Sequence, residues 1–260
     1  MAEYTLLFLG DVVGEPGRRA LEAALPGLLH QHRPLFTVVN GENAASGSGI
    51  IPRHADAIFS WGADAITLGN HAFHKRDIAN YLDAGRPIVR PGNMSRRLPG
   101  KGMVVLEKEG VRLAVANLCG RVGMEPSYDD PFAMADVYVE EAGTPHLFLD
   151  FHAEATSEKV AMGWHLAGRA TAVVGTHTHV PTADERILPG GTAYQTDTGM
   201  CGPLDGVIGT DRDIVLRRFR GALSERFEVA TGKSVILGAV IRVQRESGRA
   251  LAIERVRIED

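Results

Sequence analysis

Short apolar runs alternate with amphipathic segments along the first third of the chain. Each apolar run ends in a polar or glycine-rich stretch, which is typical of a buried strand, and the next segment has helical spacing of its apolar residues. Pro52 suits the first position of one of these helices. A strand–helix repeat of roughly 30 residues predicts a largely parallel sheet flanked by helices. The predicted strands are 4–9, 35–39 and 64–68, and the predicted helices are 17–32, 52–61 and 75–82.

The rest of the chain adds antiparallel hairpins to these strand–helix units. Apolar runs at 103–106 and 111–115 are separated by a short polar turn, and 234–243 and 250–258 form a second such pair. We therefore expect one α/β domain over residues 1–260, with two sheets packed face to face and helices outside. Between the hairpins the pattern predicts strands at 146–151, 171–174 and 192–195, a helix at 157–166, and long loops at 120–130 and 199–209.

The composition is that of a soluble globular protein. Hydrophobic residues make up 44% of the chain and charged residues 23%, which is enough to bury a core. The net charge of −4 argues against a broad electrostatic grip on nucleic acid, which needs a basic face. Cys119 and Cys201 have no metal-ligand spacing and fit a reducing compartment. Since no apolar run approaches the ~18 residues of a membrane span, we expect a cytoplasmic protein without membrane contact.

Polar side chains of the types that bind metal ions follow several of the predicted strands. In open α/β sheets, ligands bind beyond the carboxyl ends of the strands, where neighbouring strands bring such side chains together. One strand end with such a residue is common by chance, whereas five strand ends are not. The residues are Asp11, Glu42 with Asn43, Asn70 with His71, His152, and His177 with His179.

This mixture of donor atoms favours a pair of divalent ions. Carboxylate, imidazole and amide ligands together favour Mn, Fe, Zn or Co over Mg, which prefers oxygen ligands and retained water. A carboxylate can bridge two ions about 3.5–4 Å apart, and such a pair polarises a phosphoryl oxygen and generates hydroxide near neutral pH. If the segment that carries His177 and His179 is extended, both imidazoles lie on one side and can serve one ion or two.

Each of these residues, taken alone, also has an ordinary structural explanation. Asp11 fits a turn or a helix N-cap, and His71 with its neighbour fits a capping pair. Glu42 fits a solvated loop, and a lone His152 is more often a hydrogen-bonded core histidine than a ligand. All of these explanations must hold at once while the residues converge on one sheet edge. A shared metal site is therefore the better hypothesis.

Other nucleotide-binding and nucleophilic motifs do not occur in the sequence. It contains no GxxxxGK[ST] loop and no GxGxxG at the start of a helix, which disfavours ATP and dinucleotide binding. It contains no GxSxG either, which disfavours a serine hydrolase.

The segments GDVVG, GNH and GTHTH resemble the motif series of the calcineurin-like metallophosphoesterase superfamily. That superfamily usually supplies a bridging aspartate from a GD pair at the second motif, where this chain has Glu42 in NGEN. This substitution, together with DFHAEATSEK, GTHTHVPTADERILPGGTAY and TDTGMCGP, is similar to the bacterial YmdB-type phosphodiesterases. The matching motifs extend over nearly the whole chain, from residue 6 to residue 209.

The resemblance implies a fold and a metal centre. The fold would be a four-layer α/β/β/α sandwich of two mixed sheets flanked by helices. The centre would contain two divalent metal ions per chain, of which iron or manganese fits the family best, with zinc, cobalt or magnesium as alternatives. Each ion would have its own ligands and share Glu42: Asp11 and His179 would hold the first ion, and Asn70, His152 and His177 would hold the second.

The resemblance also implies roles for residues around the ions. His71 would not be a ligand, but would protonate the leaving oxygen or steady the phosphoryl charge. Asn43 would reach the ions or the substrate. The substrate pocket would be lined by the GMCG segment, which consists of Gly199, Met200, Cys201 and Gly202.

The chain departs from the family pattern directly after GNH. The family often carries a tryptophan and an acidic residue there, whereas this chain has Ala72, Phe73 and His74. We expect this change to lie on the rim of the pocket, where it affects substrate preference and leaves metal binding alone.

These observations together predict a metal-dependent phosphodiesterase that hydrolyses 2′,3′-cyclic nucleotides and related phosphodiesters through a metal-bridging hydroxide. Short or terminal RNA is a second substrate class, because its 2′,3′-cyclic ends are phosphodiesters. The family resemblance implies a homo-oligomer. Two alternatives stay open: a phosphomonoesterase acting on nucleotides or phosphoproteins, and a non-catalytic nucleotide-binding regulator. The presence of His71 beside a full ligand set argues against the regulator, which needs no proton donor there.

Overall fold

A computed structural model describes residues 2–126, 128–223 and 225–259 of the chain. Its strands are β1 (Glu3–Leu9), β2 (Asp11–Val12), β3 (Phe36–Asn40), β4 (Ala65–Thr67), β5 (Ile88–Val89), β6 (Met103–Lys108), β7 (Val111–Cys119), β8 (Leu147–His152), β9 (Ala172–Thr176), β10 (Arg186–Leu188), β11 (Thr192–Gln195), β12 (Met200–Pro203), β13 (Ser234–Gln244) and β14 (Ala250–Glu259). Its helices are α1 (Gly14–His32), α2 (Pro52–Ser60), α3 (Ile78–Leu82), α4 (Pro131–Glu141), α5 (Thr156–His165) and α6 (Arg212–Phe219).

The first sheet contains the parallel strand–helix units of the first third of the chain. Its strand order is β2-β12-β13-β1-β3-β4-β5, with β14 also paired to β13. Strands β1, β3, β4 and β5 run parallel, which confirms the predicted repeat. Strands β13 and β14 pair antiparallel, which confirms the C-terminal hairpin. Because Leu9 of β1 lies opposite Val39 of β3, the residues that follow these strands leave the sheet at the same edge.

The second sheet has the strand order β10-β11-β9-β8-β7-β6. Strands β7, β8, β9 and β11 run parallel, and β6 pairs antiparallel with β7 as the hairpin prediction requires. At the carboxyl ends of the strands, His152 of β8 lies opposite Cys119 of β7 and Thr176 of β9. The carboxyl ends of β8 and β9 therefore lie side by side at the same edge of the sheet.

Three buried apolar clusters define the layers of the molecule. Side chains of β1 alternate between two of them: Leu7 and Leu9 pack with residues of α1 and α2, whereas Phe8 faces the second sheet. Between the sheets, the ring of Phe8 lies 5.1 Å from that of Phe148, measured between centroids. The third cluster lies between the second sheet and helices α4 and α5, where Met162 is fully buried. The order helix, sheet, sheet, helix confirms the predicted four-layer α/β/β/α sandwich.

One helix was not predicted, and one segment predicted as a loop contains a strand. Helix α4 begins directly after the predicted loop 120–130, because the Asp130 carboxylate accepts hydrogen bonds from the N–H groups of Phe132 and Ala133. Strand β12 lies inside the predicted loop 199–209 and pairs with β2 and β13. The loop prediction is wrong there, because four residues that pair across the chain leave no periodic pattern in the sequence.

The described helices differ in length from the predictions. Helix α1 extends over 19 residues, and begins three residues before the predicted start at residue 17. Helix α3 has only five residues, because 75–77 form turns. Within the described ranges, none of the helices combines the length and the apolar character needed to span a bilayer.

Candidate metal centre

The candidate site lies at the carboxyl ends of strands from both sheets, and Asp11 forms part of its floor. Asp11 is fully buried, and its backbone N–H donates to the carbonyl of Gly199 at 3.3 Å. Gly10 makes this approach possible, because a Cβ there would lie 2.0 Å from the same carbonyl oxygen. The backbone on both sides therefore fixes the position of the Asp11 carboxylate.

The four residues predicted to line the substrate pocket lie in or beside this backbone ladder. Met200 pairs with Asp11 and Cys201 with Val12, and the side chains of Met200 and Cys201 are buried. Gly199 accepts the hydrogen bond from Asp11, and Gly202 pairs with strand β13. These contacts give the segment a role in supporting Asp11. Its contact with substrate stays a prediction.

Glu42 and Asn43 follow β3 and are both buried. The N–H of Glu42 donates to Oδ1 of Asn40 at 3.1 Å, and Oε2 of Glu42 accepts from the N–H of His71 at 3.1 Å. The carboxylate occupies space that the missing side chain of Gly69 leaves open, because a Cβ there would lie 2.1 Å from Oε2. Glycine at this position is thus a requirement of the site.

Groups from three other residues converge on Nε2 of His152. This atom lies 2.9 Å from Oδ1 of Asn70, 3.1 Å from Nδ1 of His177 and 3.2 Å from Oε1 of Glu42. The ligand atoms of Glu42, His152 and His177 all lie within 4.8 Å of one another. Imidazole nitrogen, carboxylate oxygen and amide oxygen can each donate a lone pair to a divalent cation.

The distances between the donor atoms also fit a metal ion. Ligand atoms about 2.1 Å from an ion and at right angles to one another lie about 3.0 Å apart. The distances around His152 are 2.9–3.2 Å. Oδ1 of Asp11 is buried and forms no hydrogen bond with any described residue, whereas Oε1 of Glu42 lies 3.1 Å from Nδ1 of His71 and 3.2 Å from Nε2 of His152. Because a buried carboxylate oxygen without a partner is destabilising, a cation is the partner that fits.

A relay of buried groups orients His152. Its Nδ1 lies 2.8 Å from the hydroxyl oxygen of Thr176, and that hydroxyl donates to Oδ1 of Asp150 at 2.6 Å. The other oxygen of Asp150 accepts from Asn40 at 2.9 Å and Thr67 at 2.5 Å. The hydroxyl oxygen of Thr176 therefore accepts a hydrogen bond from the Nδ1–H group of His152, and this bond turns Nε2 towards the ligand cluster. The sequence analysis missed Asp150, although its position two residues before His152 on a strand places both on one face.

His177 and His179 do not lie on an extended segment. Strand β9 ends at Thr176, and the two histidines have φ values of 98° and 66°. Such backbone conformations cost on the order of 1–3 kcal/mol for residues other than glycine. The N–H of His177 offsets part of this cost by donating to Oδ2 of Asp11 at 3.2 Å. The imidazoles consequently diverge: His177 faces His152, whereas Nε2 of His179 lies 3.1 Å from Nδ2 of Asn43.

A buried ion pair supports the loop that carries His177 and His179, here called the histidine loop. Nζ of Lys159 lies 2.6 Å from Oδ2 of Asp197, and both side chains are almost fully buried. Asp197 also accepts from the N–H and the hydroxyl of Thr178 at 3.2 and 2.8 Å, and from the N–H of Gly199 at 2.8 Å. One carboxylate thus ties the histidine loop to the segment that pairs with Asp11. The sequence analysis missed this pair, because its members are 38 residues apart in the chain.

His71 occupies the open side of the cluster. Its Nδ1 lies 2.6 Å from Oδ1 of Asn43 and 3.1 Å from Oε1 of Glu42, and its side chain is 26% exposed. An amide oxygen only accepts, so Nδ1 donates to Asn43 and Nε2 is left for an outside partner. The structure thus brings all the predicted ligand residues and His71 into one site. Their roles as ligands or proton donor stay predictions.

The buried carboxylates and imidazoles of the site shift one another's pKa values. Burial disfavours ionisation of Glu42, yet the imidazoles of His152 and His71 hold its pKa well below the usual range. Burial raises the pKa of Asp11. Burial also opposes the charged form of His152, but Glu42 and Asp11 outweigh it and raise the pKa to about 9. Burial and the nearby His152 lower the pKa of His177 to about 3, so this imidazole is neutral, as a ligand must be.

A comparison with known families and proteins is consistent with this geometry. A family model described as YmdB-like protein matches residues 7–256. A 2′,3′-cyclic-nucleotide 2′-phosphodiesterase from Bacillus subtilis (strain 168) is 50% identical over 257 residues, which cover 98% of this chain and 97% of that protein.

Two solved structures are similar over almost the whole chain. The crystal structure of a novel phosphatase from Mycoplasma pneumoniae has a TM-score of 0.94 at 34% identity, and the match covers 100% of this chain and 94% of that one. The crystal structure of a hypothetical protein from Thermus thermophilus has a TM-score of 0.91 at 41% identity, covering 98% of this chain and 99% of that one.

Proposed function

The chain belongs to the YmdB-like family, and on that basis we propose that it is a metal-dependent phosphodiesterase acting on 2′,3′-cyclic nucleotides and related phosphodiesters. Half of its residues are identical to those of the Bacillus subtilis 2′,3′-cyclic-nucleotide 2′-phosphodiesterase over nearly the full length of both chains. The observation that carries the proposal is the convergence of Glu42, His152 and His177 beside the partly exposed imidazole of His71.

In this proposal the site would hold two divalent ions, and the cluster of Glu42, His152 and His177 supports the presence of a metal. Glu42 would be shared by both ions, and Asn43 would reach either the ions or the substrate. When bound, the ions supply Lewis-acid polarisation of the phosphoryl group and lower the pKa of water. Mixed oxygen and nitrogen ligands favour Mn, Fe, Zn or Co over Mg, and the family resemblance favours iron or manganese among them. Asp11 and His179 would hold the first ion, and Asn70, His152 and His177 would hold the second.

His71 performs the proton transfer in this proposal. Its Nδ1 donates to Asn43 and fixes the ring, so Nε2 can hold a proton on the open side of the site. Hydrolysis of a 2′,3′-cyclic phosphate adds a water oxygen to phosphorus and breaks the bond between phosphorus and O2′. The proton on Nε2 goes to that departing oxygen, and the product is a 3′-monophosphate.

A phosphomonoesterase is the second candidate, because the similar Mycoplasma pneumoniae structure is described as a phosphatase. A comparison of 2′,3′-cyclic AMP with p-nitrophenyl phosphate separates the two. We expect kcat/KM to be at least tenfold higher for the cyclic diester, with 3′-AMP as the product. Faster turnover of the monoester would assign the protein to the monoesterases. Metal-dependent binding of nucleotide without turnover of either compound would support the regulatory alternative.

The proposal extends to the setting in which the protein works. We place it in the cytoplasm as a homo-oligomer, with RNA ends that carry a 2′,3′-cyclic phosphate as additional substrates. Phe219 and Leu223 are exposed apolar side chains, at 84% and 93%, and we propose that they contact a second copy of the chain. Light scattering of wild type and of Phe219→Asp would test the oligomer. A wild-type mass equal to that of one 28.0 kDa chain would contradict it.

A further inference from the structure

The residue three positions after His71 lies against the proposed proton donor. The imidazole of His74 stacks beside that of His71, with ring centroids 4.5 Å apart and an angle of 41° between the planes. Its Nδ1 lies 2.6 Å from the hydroxyl oxygen of Ser48. Ser48 belongs to the loop that begins with Glu42 and Asn43. Two segments of the site therefore meet at His74, although its side chain is exposed.

The ring of His74 is held in place while one of its nitrogen atoms is free. Ser48 fixes the orientation of the ring through Nδ1, and the loop backbone at Gly49 packs on His74 and Lys75, where a Cβ would lie 3.3 Å from Cβ of His74. Nε2 of His74 has no hydrogen-bond partner among residues 2–126, 128–223 and 225–259. In either tautomer, this nitrogen presents one donor or one acceptor to a ligand.

The position of His74 determines which part of a substrate it meets. His71 gives its proton to the departing oxygen, so the groups next to His71 on its exposed side face the leaving part of the substrate. In a 2′,3′-cyclic nucleotide, the departing O2′ stays attached to the ribose. The ribose and its base therefore lie on the side of His71, within reach of a neighbouring ring.

We propose that His74, oriented by Ser48, is a specificity-determining residue that hydrogen-bonds through Nε2 to the nucleoside part of the substrate. This inference rests on the proposed phosphodiesterase function and deepens it. The exposed Nε2 matches a ribose hydroxyl or a polar edge of a base, and the ring face adds an apolar contact. A phosphodiester that lacks a nucleoside cannot make the hydrogen bond.

The test compares two substrates that share the reacting group. One is 2′,3′-cyclic AMP, and the other is ethylene phosphate, which has the same five-membered cyclic diester and an alkoxide leaving group but no nucleoside. Both need a proton from His71, so any indirect effect on His71 lowers turnover of both to the same degree. The Mn²⁺-loaded variants are His74→Phe, which keeps a ring of similar shape, and Ser48→Ala, which removes the bond that orients His74. His30→Phe, an exposed histidine on α1, is the matched control.

In His74→Phe, we expect the ratio of kcat/KM for the cyclic nucleotide to that for ethylene phosphate to fall about fivefold, the effect of one neutral hydrogen bond. The change should lie mainly in KM for 2′,3′-cyclic AMP. Ser48→Ala should lower the same ratio by about twofold, and His30→Phe should leave it unchanged.

Each other outcome has a distinct meaning. An equal loss on both substrates in His74→Phe would show that His74 only supports His71, and would overturn the inference. An unchanged KM for 2′,3′-cyclic AMP would overturn it as well. If the metal-loaded wild type hydrolysed neither substrate, the phosphodiesterase proposal itself would fail. Because metal content and ethylene phosphate turnover report on correct folding, loss of structure in a variant is recognised directly.

Discussion

The floor and the rim of the site are built in different ways. The floor consists of Asp11, Glu42 and His152, which are fully buried and lie at or just beyond the carboxyl ends of strands β1, β3 and β8. The rim consists of His71 and His74, which lie on turns and are partly or largely exposed. Backbone ladders position the floor, whereas hydrogen bonds between side chains position the rim. The difference indicates a division of work, in which the floor holds the ions and the rim handles protons and substrate.

The two regions should also respond differently when a hydrogen-bond partner is removed. The floor is surrounded by buried groups such as Asp150 and Thr176, so removal of one partner leaves another polar group unsatisfied. The rim is bordered by solvent, which can replace a lost partner. Changes to the floor should therefore affect metal binding and stability, and changes to the rim should affect turnover.

The largest effect is expected from Glu42→Gln, which removes charge from the floor. The variant should lose occupancy of both ions, since the proposed bridge is gone, and its turnover should fall to that of the metal-free protein. Elemental analysis and a turnover assay measure the two effects. Glu22→Gln on the exposed face of α1 is the control and should bind metal normally. Two full metal sites in Glu42→Gln would show that Glu42 is not the bridge.

His71→Ala is the corresponding change on the rim. It should lower kcat by about a thousandfold, within the range for loss of a general acid. Metal content should stay at the wild-type level, because His71 is not a proposed ligand. Steady-state kinetics and elemental analysis on the same preparation test both statements. Turnover close to that of wild type would remove His71 from the mechanism.

Lys159→Met tests the support under the histidine loop. The change leaves Asp197 buried without its counter-ion, which should lower the free energy of unfolding by about 3 kcal/mol. Urea denaturation measures the loss. Arg86→Met breaks the exposed ion pair with Asp56 and should cost less than about 1 kcal/mol. Equal losses in the two variants would contradict the importance assigned to the buried pair.

Thr176→Val is the smallest of these changes, because it replaces one hydroxyl by a methyl group of similar size. It removes the link between His152 and Asp150, and should weaken metal affinity by about 10- to 100-fold. A metal titration measures the affinity. Thr171→Val is the matched control, since the buried hydroxyl of Thr171 has no hydrogen-bond partner in the described residues. Unchanged affinity in Thr176→Val would show that the relay does not orient His152.

The sequence predicted the residues of the floor more completely than the buried groups that hold the site in place. Asp11, Glu42 and His152 follow apolar strands, and the carboxyl ends of such strands meet at one edge by a general rule. The paired apolar runs predicted both hairpins, and the family resemblance implied the four layers. Asp150 and Lys159 went unrecognised, because a polar residue inside a strand or helix shows its buried partner only when the elements are packed together.

The loop that carries His177 and His179 was less predictable than the floor, because its geometry depends on local backbone. The positive φ values of His177 and His179 violate the usual preference of these residues, and the extended conformation considered for them is not adopted. Strands β2 and β12 are too short to produce a periodic signal. By contrast, helix α4 could have been predicted from the aspartate–proline pair at 130–131, which is typical of a helix start.

The most direct test of the account is elemental analysis of the purified protein, paired with turnover of 2′,3′-cyclic AMP before chelation, after chelation and after addition of Mn²⁺. The account predicts about two ions per chain, loss of turnover on chelation, and release of 3′-AMP again once Mn²⁺ is restored. No bound metal even after Mn²⁺ is supplied, or turnover that chelation leaves unchanged, would contradict it.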